Sequence, residues 1–197
     1  MRGPLLANIY LNELDHTLAQ AGFAMVRYAD DFVILCRTQA EAERALELVR
    51  QWVASRGLIL HPDKTKLVDA TQKGGFDFLG YHFERGYRWP RKKSLDKVKD
   101  RVRELTPRKS GKSLTEIIQK LNRTLHGWFQ FFKHSCRPTF PELDGWIRMR
   151  LRSILRKRKG GLGRGRGADH QRWPNAYFAN LGLFNLTRAY DLACQPS

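Results

Sequence analysis

The sequence predicts an α+β fold in which a segment of mixed strands and helices is followed by a helical, strongly basic segment. Over residues 1–85 the apolar residues switch between the period of two typical of strands and the period near 3.6 typical of helices. From about residue 94 only the helical period continues. The charge divides in the same place: residues 85–172 hold 26 Lys and Arg against 7 Asp and Glu, in a chain of net charge +17. We therefore expect two domains, residues 1–85 and residues 86–197.

The mixed segment is expected to begin with a helix and a β-hairpin. Apolar residues recur at helical spacing over residues 5–18, Pro4 suits a first helical turn, and Gly22 ends the helix. Residues 24–28 and 32–35 are short apolar runs on either side of Ala29-Asp30-Asp31. This pattern predicts two strands joined by a tight turn that carries two acidic residues.

A second helix and further strands are expected after the hairpin. Thr38 with Glu41 three residues later forms a capping box, and Gly57 is expected to end the helix that it opens. Residues 58–60 are expected to form a third short strand, and residues 76–83 to begin another hairpin.

The basic segment is expected to form a small bundle of three amphipathic helices. Ser94, Ser113 and Thr139 are the expected N-terminal caps, and Gly160 with Gly161 is expected to end the third helix. Residues 160–167 are glycine-rich and are expected to be a flexible connector.

The excess of Lys and Arg indicates a polyanionic partner, and nucleic acid is preferred over an anionic membrane surface. Solvated helix faces are the alternative explanation. The helix dipole explains part of the basic run over residues 140–159, but it contributes only ~0.3–1 kcal/mol per charge. Phosphate binding explains the run better. The residues expected to contact nucleic acid are Arg148, Arg152, Arg156, Lys157, Arg158, Lys159, Arg164 and Arg166.

The chain lacks the sequence features of membrane and disulfide-stabilised proteins. Its apolar runs are far shorter than the ~20 residues of a transmembrane helix, and it begins with no apolar signal segment. Cys36, Cys136 and Cys194 are an odd number at wide spacings, which fits free thiols in a reducing compartment. A cytoplasmic protein with no membrane partner is expected.

Asp30 and Asp31 are the strongest candidates for chemistry. Adjacent carboxylates repel each other and need solvent or cations, and their oxygen atoms suit a hard divalent metal such as Mg²⁺. Paired metals activate the attacking hydroxyl and stabilise the leaving oxygen in phosphoryl transfer. A solvated turn is the alternative for an isolated Asp-Asp pair.

The hairpin sequence Val26-Arg27-Tyr28-Ala29-Asp30-Asp31-Phe32 resembles the catalytic hairpin of reverse transcriptases and, more narrowly, that of the group II intron reverse transcriptase/maturase family. Other segments resemble the same family in the same order. They are residues 4–12 after the nucleotide-binding motif, 57–65 after the palm helix, 76–80 at the primer grip, and 127–132, 143–144 and 182–186 in the thumb and maturase-specific region.

The resemblance implies a partial palm over residues 1–85 and a thumb/maturase domain over residues 86–197. It also implies that Asp30 and Asp31 bind Mg²⁺ and that Lys64 approaches the triphosphate and protonates the departing pyrophosphate. Phe78, Leu79 and Gly80 would support the primer terminus. From the residues alone, Lys64 is equally well a surface lysine, and Phe78 and Leu79 are equally well core residues.

The resemblance further implies group II intron RNA as a partner, together with an RNA/DNA hybrid during synthesis. The family's third catalytic aspartate and its fingers lie upstream of the first matching motif, and Arg2-Gly3 depart from the family pattern. We therefore expect a truncated or split reverse transcriptase that does not polymerise alone and that pairs with a separate N-terminal fragment. A non-catalytic RNA-binding splicing cofactor and a decayed gene fragment are the alternatives.

Overall fold

The structure, a computed structural model, describes residues 3–195, with side chains from residue 5 onward. The chain divides into two compact units, the first ending at Phe78 and the second beginning at Leu79. Strands and helices mix in the first unit, and helices dominate the second, which confirms the predicted α+β class. The departure noted at Arg2 lies outside the described residues. Among the described helices, none has the length and hydropathy needed to cross a bilayer.

The first unit is built on two helices and a hairpin. Its elements are α1 (Gly3–Gln20), β1 (Ala24–Tyr28), β2 (Asp31–Leu35), α2 (Gln39–Ser55) and β3 (Phe76–Phe78). Strands β1 and β2 are antiparallel, with Tyr28 opposite Asp31. The helices bury Leu14 and Leu18 of α1 against Val49 and Val53 of α2. This small core holds the hairpin on one side of the helix pair, because half-buried strand residues pack against it.

The limits of α2 follow from the predicted signals. The Thr38 Oγ1 accepts a hydrogen bond from the Glu41 amide at 3.2 Å, and the Glu41 carboxylate accepts one from the Arg37 amide at 2.8 Å. At the other end Gly57 takes φ +67, which only glycine adopts without strain. The Thr38 cap and the glycine stop are confirmed, while the reciprocal bond of the box goes to the Arg37 amide instead of the Thr38 amide.

The strand expected at residues 58–60 is not formed. The Leu58 amide donates to the Val53 carbonyl at 3.0 Å, so the run continues the C-terminal hydrogen bonding of α2. Leu60 packs on the first core, while Ile59 is 93% exposed. The prediction was wrong because a short apolar run after a helix stop also serves as a hydrophobic C-terminal cap.

The second unit begins with a β-hairpin and continues as a helical bundle. Its elements are β4 (Tyr81–Glu84), β5 (Tyr87–Pro90), α3 (Lys92–Leu105), α4 (Leu114–Phe132), α5 (Thr139–Arg158), α6 (Asp169–Arg172), α7 (Asn175–Asn180) and α8 (Leu186–Ala193). The core is formed by one face each of α3, α4 and α5, closed by residues of α7 and α8 such as Phe178 and Leu186. The three predicted amphipathic helices are therefore confirmed.

Only one of the three predicted caps in this unit is confirmed. The Ser113 hydroxyl accepts from the Glu116 amide at 3.1 Å at the start of α4. Ser94 and Thr139 lie inside the first turns of α3 and α5, which have no side-chain cap. The Ser94 hydroxyl instead donates to the Gly80 carbonyl at 3.0 Å. It links the helix to the preceding hairpin, a contact that a local sequence window does not contain.

The glycine-rich connector after α5 is packed against that helix, which corrects the expectation of a flexible segment. The Gly165 amide donates to the Ser153 hydroxyl at 3.0 Å, and the Arg156 Nε donates to the Leu162 carbonyl at 2.7 Å. A Cβ at Gly165 would lie 2.8 Å from the Arg152 carbonyl carbon, so no larger residue fits without a shift. The glycines of this segment allow the backbone to approach α5 closely, in addition to allowing turns.

Candidate metal and nucleic-acid sites

The two predicted acidic ligands lie at the tip of the first unit's hairpin. Because Tyr28 pairs with Asp31, Ala29 and Asp30 form a two-residue turn. Ala29 takes φ +54, a left-handed conformation that residues other than glycine rarely adopt. Both aspartates are exposed. The turn thus presents two carboxylates on consecutive residues, from a backbone held in an uncommon conformation.

Arg27 holds that turn in place. Its Nη1 donates to the Ala29 carbonyl at 2.8 Å and to the Asn8 Oδ1 at 2.9 Å, while its Nε donates to the Asp15 Oδ1 at 2.8 Å. The hydrogen bond and charge of Asp15 raise the pKa of the Arg27 guanidinium. One side chain therefore ties the aspartate turn to α1.

Sequence reasoning gave Arg27 no role, although a signal was present. In β1 the exposed and half-buried residues alternate, and Arg27 lies on the inward face with Met25. A charged side chain at an inward position needs a partner, because burying an unpaired charge is costly. The alternation therefore pointed to a structural ion pair at the base of the hairpin.

Asp30 and Asp31 provide the type of ligand atom, carboxylate oxygen, that a divalent metal such as Mg²⁺ prefers. Mg²⁺ prefers oxygen ligands and is commonly held by one or two carboxylates, with waters and substrate phosphates completing its shell. Asp30 and Asp31 supply two carboxylates, and within residues 3–195 no group of three or more His, Cys, Asp or Glu side chains is positioned as a metal site.

The remaining polymerase candidates lie in turns. Lys64 is exposed in the first unit, and its amide donates to the His61 carbonyl at 3.2 Å. Phe78 ends β3 half-buried, while Leu79 and Gly80 have φ of +47 and +84 at the start of the second unit. The Gly80 carbonyl accepts from Ser94 and from the Arg91 amide. Gly80 is thus fixed by hydrogen bonds, whereas Leu79 is 38% exposed.

The structure corrects the expectation for Arg152. This side chain is 2% exposed, its Nε donates to the Trp173 carbonyl at 2.9 Å, and its Nη2 donates to the Asn175 Oδ1 at 2.8 Å. The guanidinium also lies 5.2 Å from the centroid of the Phe178 ring. Burial lowers its pKa, as expected for a desolvated cation. Arg152 anchors the segment after α5 and cannot meet RNA, so we exclude it from the candidate interface.

Two further arginines of α5 also make internal contacts. The Arg156 Nη1 donates to the Asp169 Oδ2 at 2.8 Å, and the Arg158 Nη2 donates to the carbonyls of Ser110 and Lys112. These bonds connect α5 to α6 and to the loop before α4. Part of the basic run is therefore explained by structural contacts within the protein, although both side chains keep exposed atoms.

Most of the other candidates are exposed cations at or just after the end of α5. Lys157, Lys159, Arg164 and Arg166 are exposed, and Arg148 is half-buried on the same helix. Within residues 3–195, none of their charged groups has a hydrogen-bond or ion-pair partner, although the Lys159 Nζ lies 6.0 Å from the Trp173 ring centroid. We call the four exposed residues the α5 cationic surface. Exposed cations without an internal partner are available to a polyanion.

Two protein-family models match the chain. Residues 2–83 match the reverse transcriptase (RNA-dependent DNA polymerase) model, and residues 95–173 match the group II intron maturase-specific domain model. The aspartate turn falls in the first match and the α5 cationic surface in the second. A comparison with curated proteins returned no match.

Proposed function

Because the chain belongs to the group II intron reverse transcriptase/maturase family, we propose that its second unit binds structured intron RNA and that its aspartate turn contributes to RNA-directed DNA synthesis. The observation that carries the proposal is the α5 cationic surface, whose four charges have no internal partner among the described residues. It lies within the match to the maturase-specific domain. Phosphate contacts position a protein without reading bases, so this surface recognises RNA shape more than sequence.

The aspartate turn is proposed to act in catalysis. Reverse transcriptases use divalent metal ions, which activate the attacking hydroxyl and stabilise the leaving oxygen when bound. Asp30 and Asp31 would hold Mg²⁺ from the exposed hairpin tip, and Arg27 would fix the turn that carries them. Lys64 is proposed to approach the triphosphate from its exposed position.

The primer grip is proposed for Phe78, Leu79 and Gly80. Gly80 has two hydrogen bonds to its carbonyl oxygen, and Leu79 is held in a left-handed conformation next to it. A rigid turn with a partly exposed apolar side chain suits support of a nucleic-acid terminus, because positioning demands little movement.

A separate N-terminal reverse transcriptase fragment is the proposed protein partner. Helix α1 exposes Leu5 at 66%, Leu6 at 61% and Ile9 at 67%, and Leu6 and Ile9 line an apolar cavity of about 400 Å³ with Leu58. The hairpin beside it is a two-stranded sheet, which is marginally stable in isolation. An apolar partner surface that also extends the sheet would cover both features.

RNA binding is tested by the salt dependence of affinity for a group II intron RNA. Each phosphate contact contributes roughly 0.7–0.9 to the slope of log affinity against log salt, so about six contacts would lower affinity roughly a thousandfold between ~50 and ~200 mM. Replacing Lys157, Lys159, Arg164 and Arg166 with Gln is expected to flatten the slope by up to about three. Replacing Arg44, Arg50, Lys66 and Lys73, exposed cations of the first unit, is the control with the same charge change. Salt-insensitive binding, or an equal effect of the two variants, would contradict the proposal.

Catalysis is tested by primer extension on an RNA template with dNTPs and Mg²⁺. A polypeptide of these 197 residues is expected to give no product alone, and addition of a fragment carrying the fingers and the first palm motifs is expected to restore synthesis. Asp30→Ala should then abolish it. Stimulation of intron splicing with no DNA synthesis in the combined system would favour the non-catalytic splicing cofactor.

A further inference from the structure

A cleft of about 680 Å³ in the second unit has no part in the function proposed so far. Its volume lies within the ~300–1,000 Å³ typical of small-ligand sites. Strand β5, helices α3, α5 and α8 and the turn before α5 form its walls. Its aromatic and charged lining residues are Tyr87, Trp89, Lys99, Arg137, Glu142 and Tyr190.

Three aromatic rings line this cleft. Tyr190 stacks on Phe140 with ring centroids 4.8 Å apart and an interplanar angle of 30°. Trp89 lies 5.6 Å from the His82 ring, so both side chains are held by neighbours. Tyr87, in contrast, is 63% exposed at the rim. A cleft with two fixed rings and one exposed ring suits a planar aromatic ligand, because stacking requires rigid faces.

Within the part of the chain that the structure describes, the charged lining holds one cation and one anion that have no partner. Arg137 is committed to Asp191 by two hydrogen bonds of 2.9 and 3.0 Å, which raise the pKa of its guanidinium. Among the described residues, the Lys99 ammonium and the Glu142 carboxylate have no hydrogen-bond or ion-pair partner. The cleft therefore offers an unpaired cation and an unpaired anion beside its aromatic walls.

This donor and acceptor set discriminates among the RNA bases. The Watson–Crick edge of guanine carries two adjacent N–H donors, which one carboxylate can accept together, and its O6 accepts from a lysine. The Watson–Crick edges of adenine, cytosine and uracil do not carry two adjacent donors. The surrounding chain adds charge complementarity for the RNA backbone, since residues 85–172 hold 26 Lys and Arg against 7 Asp and Glu.

We propose that this cleft binds one unstacked guanine of a single-stranded segment of RNA, with Tyr87 and Trp89 contacting the base, and Glu142 and Lys99 recognising its edge. The inference rests on the proposed RNA-binding function and adds to it a base-specific contact outside the α5 cationic surface. Extruded bases in loops and bulges are the part of RNA that proteins read by sequence.

The test uses the full chain and fluorescein-labelled heptamers of uridine with a single central guanosine or a single central adenosine. Anisotropy titrations are expected to show the guanosine heptamer binding about tenfold more tightly. Tyr87→Ala should weaken both heptamers by roughly tenfold through loss of stacking. Glu142→Gln should remove the difference between the heptamers. Glu116→Gln, which changes a carboxylate already paired with Lys120 on α4, is the matched control and should leave the difference intact.

The outcomes separate this inference from the proposed function. If intron RNA binds with the expected salt dependence but the heptamers bind equally and Tyr87→Ala has no effect, the guanine site is wrong and the RNA-binding function stands. If neither intron RNA nor heptamers bind, both proposals fail. Circular dichroism melting of each variant checks folding, and the exposed position of Tyr87 makes loss of the fold a poor explanation for lost binding.

Discussion

Arg152, Lys157 and Lys159 are cations on or directly after α5. Neutralising Arg152 and neutralising the two lysines should nevertheless have opposite effects on stability and on RNA binding. Arg152 is buried and donates to the Trp173 carbonyl and the Asn175 side chain. Lys157 and Lys159 are exposed and belong to the α5 cationic surface. We expect Arg152→Met to lower stability and leave the salt dependence of RNA binding unchanged. The double variant Lys157→Gln and Lys159→Gln should do the reverse.

The magnitude for Arg152 follows from its contacts. Leaving the buried Trp173 carbonyl without a donor costs about 1–3 kcal/mol, and losing the hydrogen bond to the exposed Asn175 side chain costs about 0.5–1.5 kcal/mol. Losing the contact over the Phe178 ring costs up to about 2 kcal/mol. Relief of the desolvated charge offsets part of this, because replacing a buried ion by an apolar residue of similar size removes its desolvation cost. We expect a net loss of about 3 kcal/mol for Arg152→Met, and more for Arg152→Ala, which also leaves a cavity.

Thermal unfolding and salt titration measure the two effects separately. At roughly 4 °C per kcal/mol for a unit of 119 residues, Arg152→Met should lower the Tm of the second unit by about 12 °C. The double lysine variant should stay within about 0.5 kcal/mol per site, and should flatten the slope of log affinity against log salt by about 1.4–1.8.

Melting of Arg152→Met within about 1 °C of the parent would contradict a structural role for Arg152. Loss of a full unit of salt slope by the folded Arg152→Met variant would place the guanidinium on RNA.

Four further substitutions test features of the fold and of the site. Asp144→Ala should cost about 3 kcal/mol in urea unfolding, because its buried carboxylate accepts three hydrogen bonds at the start of α8; a loss below about 1 kcal/mol would contradict this. Gly165→Ala should lower the Tm, because the added Cβ would contact the α5 backbone. Gly127 lies in exposed space within α4, so Gly127→Ala should stabilise the protein by up to about 1 kcal/mol. A higher Tm for Gly165→Ala or a lower one for Gly127→Ala would contradict this packing. Arg27→Lys should reduce primer extension by the combined system about tenfold at unchanged RNA affinity, because lysine cannot span Asn8, Asp15 and the Ala29 carbonyl; full activity would exclude a positioning role.

Helix limits were predictable where one side chain makes the cap. Thr38 and Ser113 bond amides three residues ahead, so the relevant partner lies inside a local window. The caps predicted at Ser94 and Thr139 were wrong because both residues already lie inside the first turn of their helices. Arg91, before α3, has its amide bonded to Gly80, and Pro138 already has helical dihedral angles before α5. Those constraints come from tertiary contacts and from backbone geometry.

Some parts of the candidate site could be predicted from the sequence, and others could not. The hairpin with its acidic turn followed from two apolar runs around Asp30 and Asp31, and the structure has the same turn. The roles of these aspartates and of Lys64 stay predictions. The burial of Arg152 was not predictable, because its partners Trp173 and Asn175 lie 21 and 23 residues away. A run of cations on a helix does not reveal which of them turn inward.

The packed connector after α5 bears on the thermodynamics of RNA capture. Gly165 is buried against α5, and the residues on either side of it, Arg164 and Arg166, are exposed. A loose glycine-rich tether would lose about 1–2 kcal/mol of conformational entropy per residue on docking to RNA. Here folding has already fixed the backbone between the two arginines. In the proposed interface with RNA, the two arginines would start from a fixed backbone spacing, and they should favour pairs of phosphates that match it.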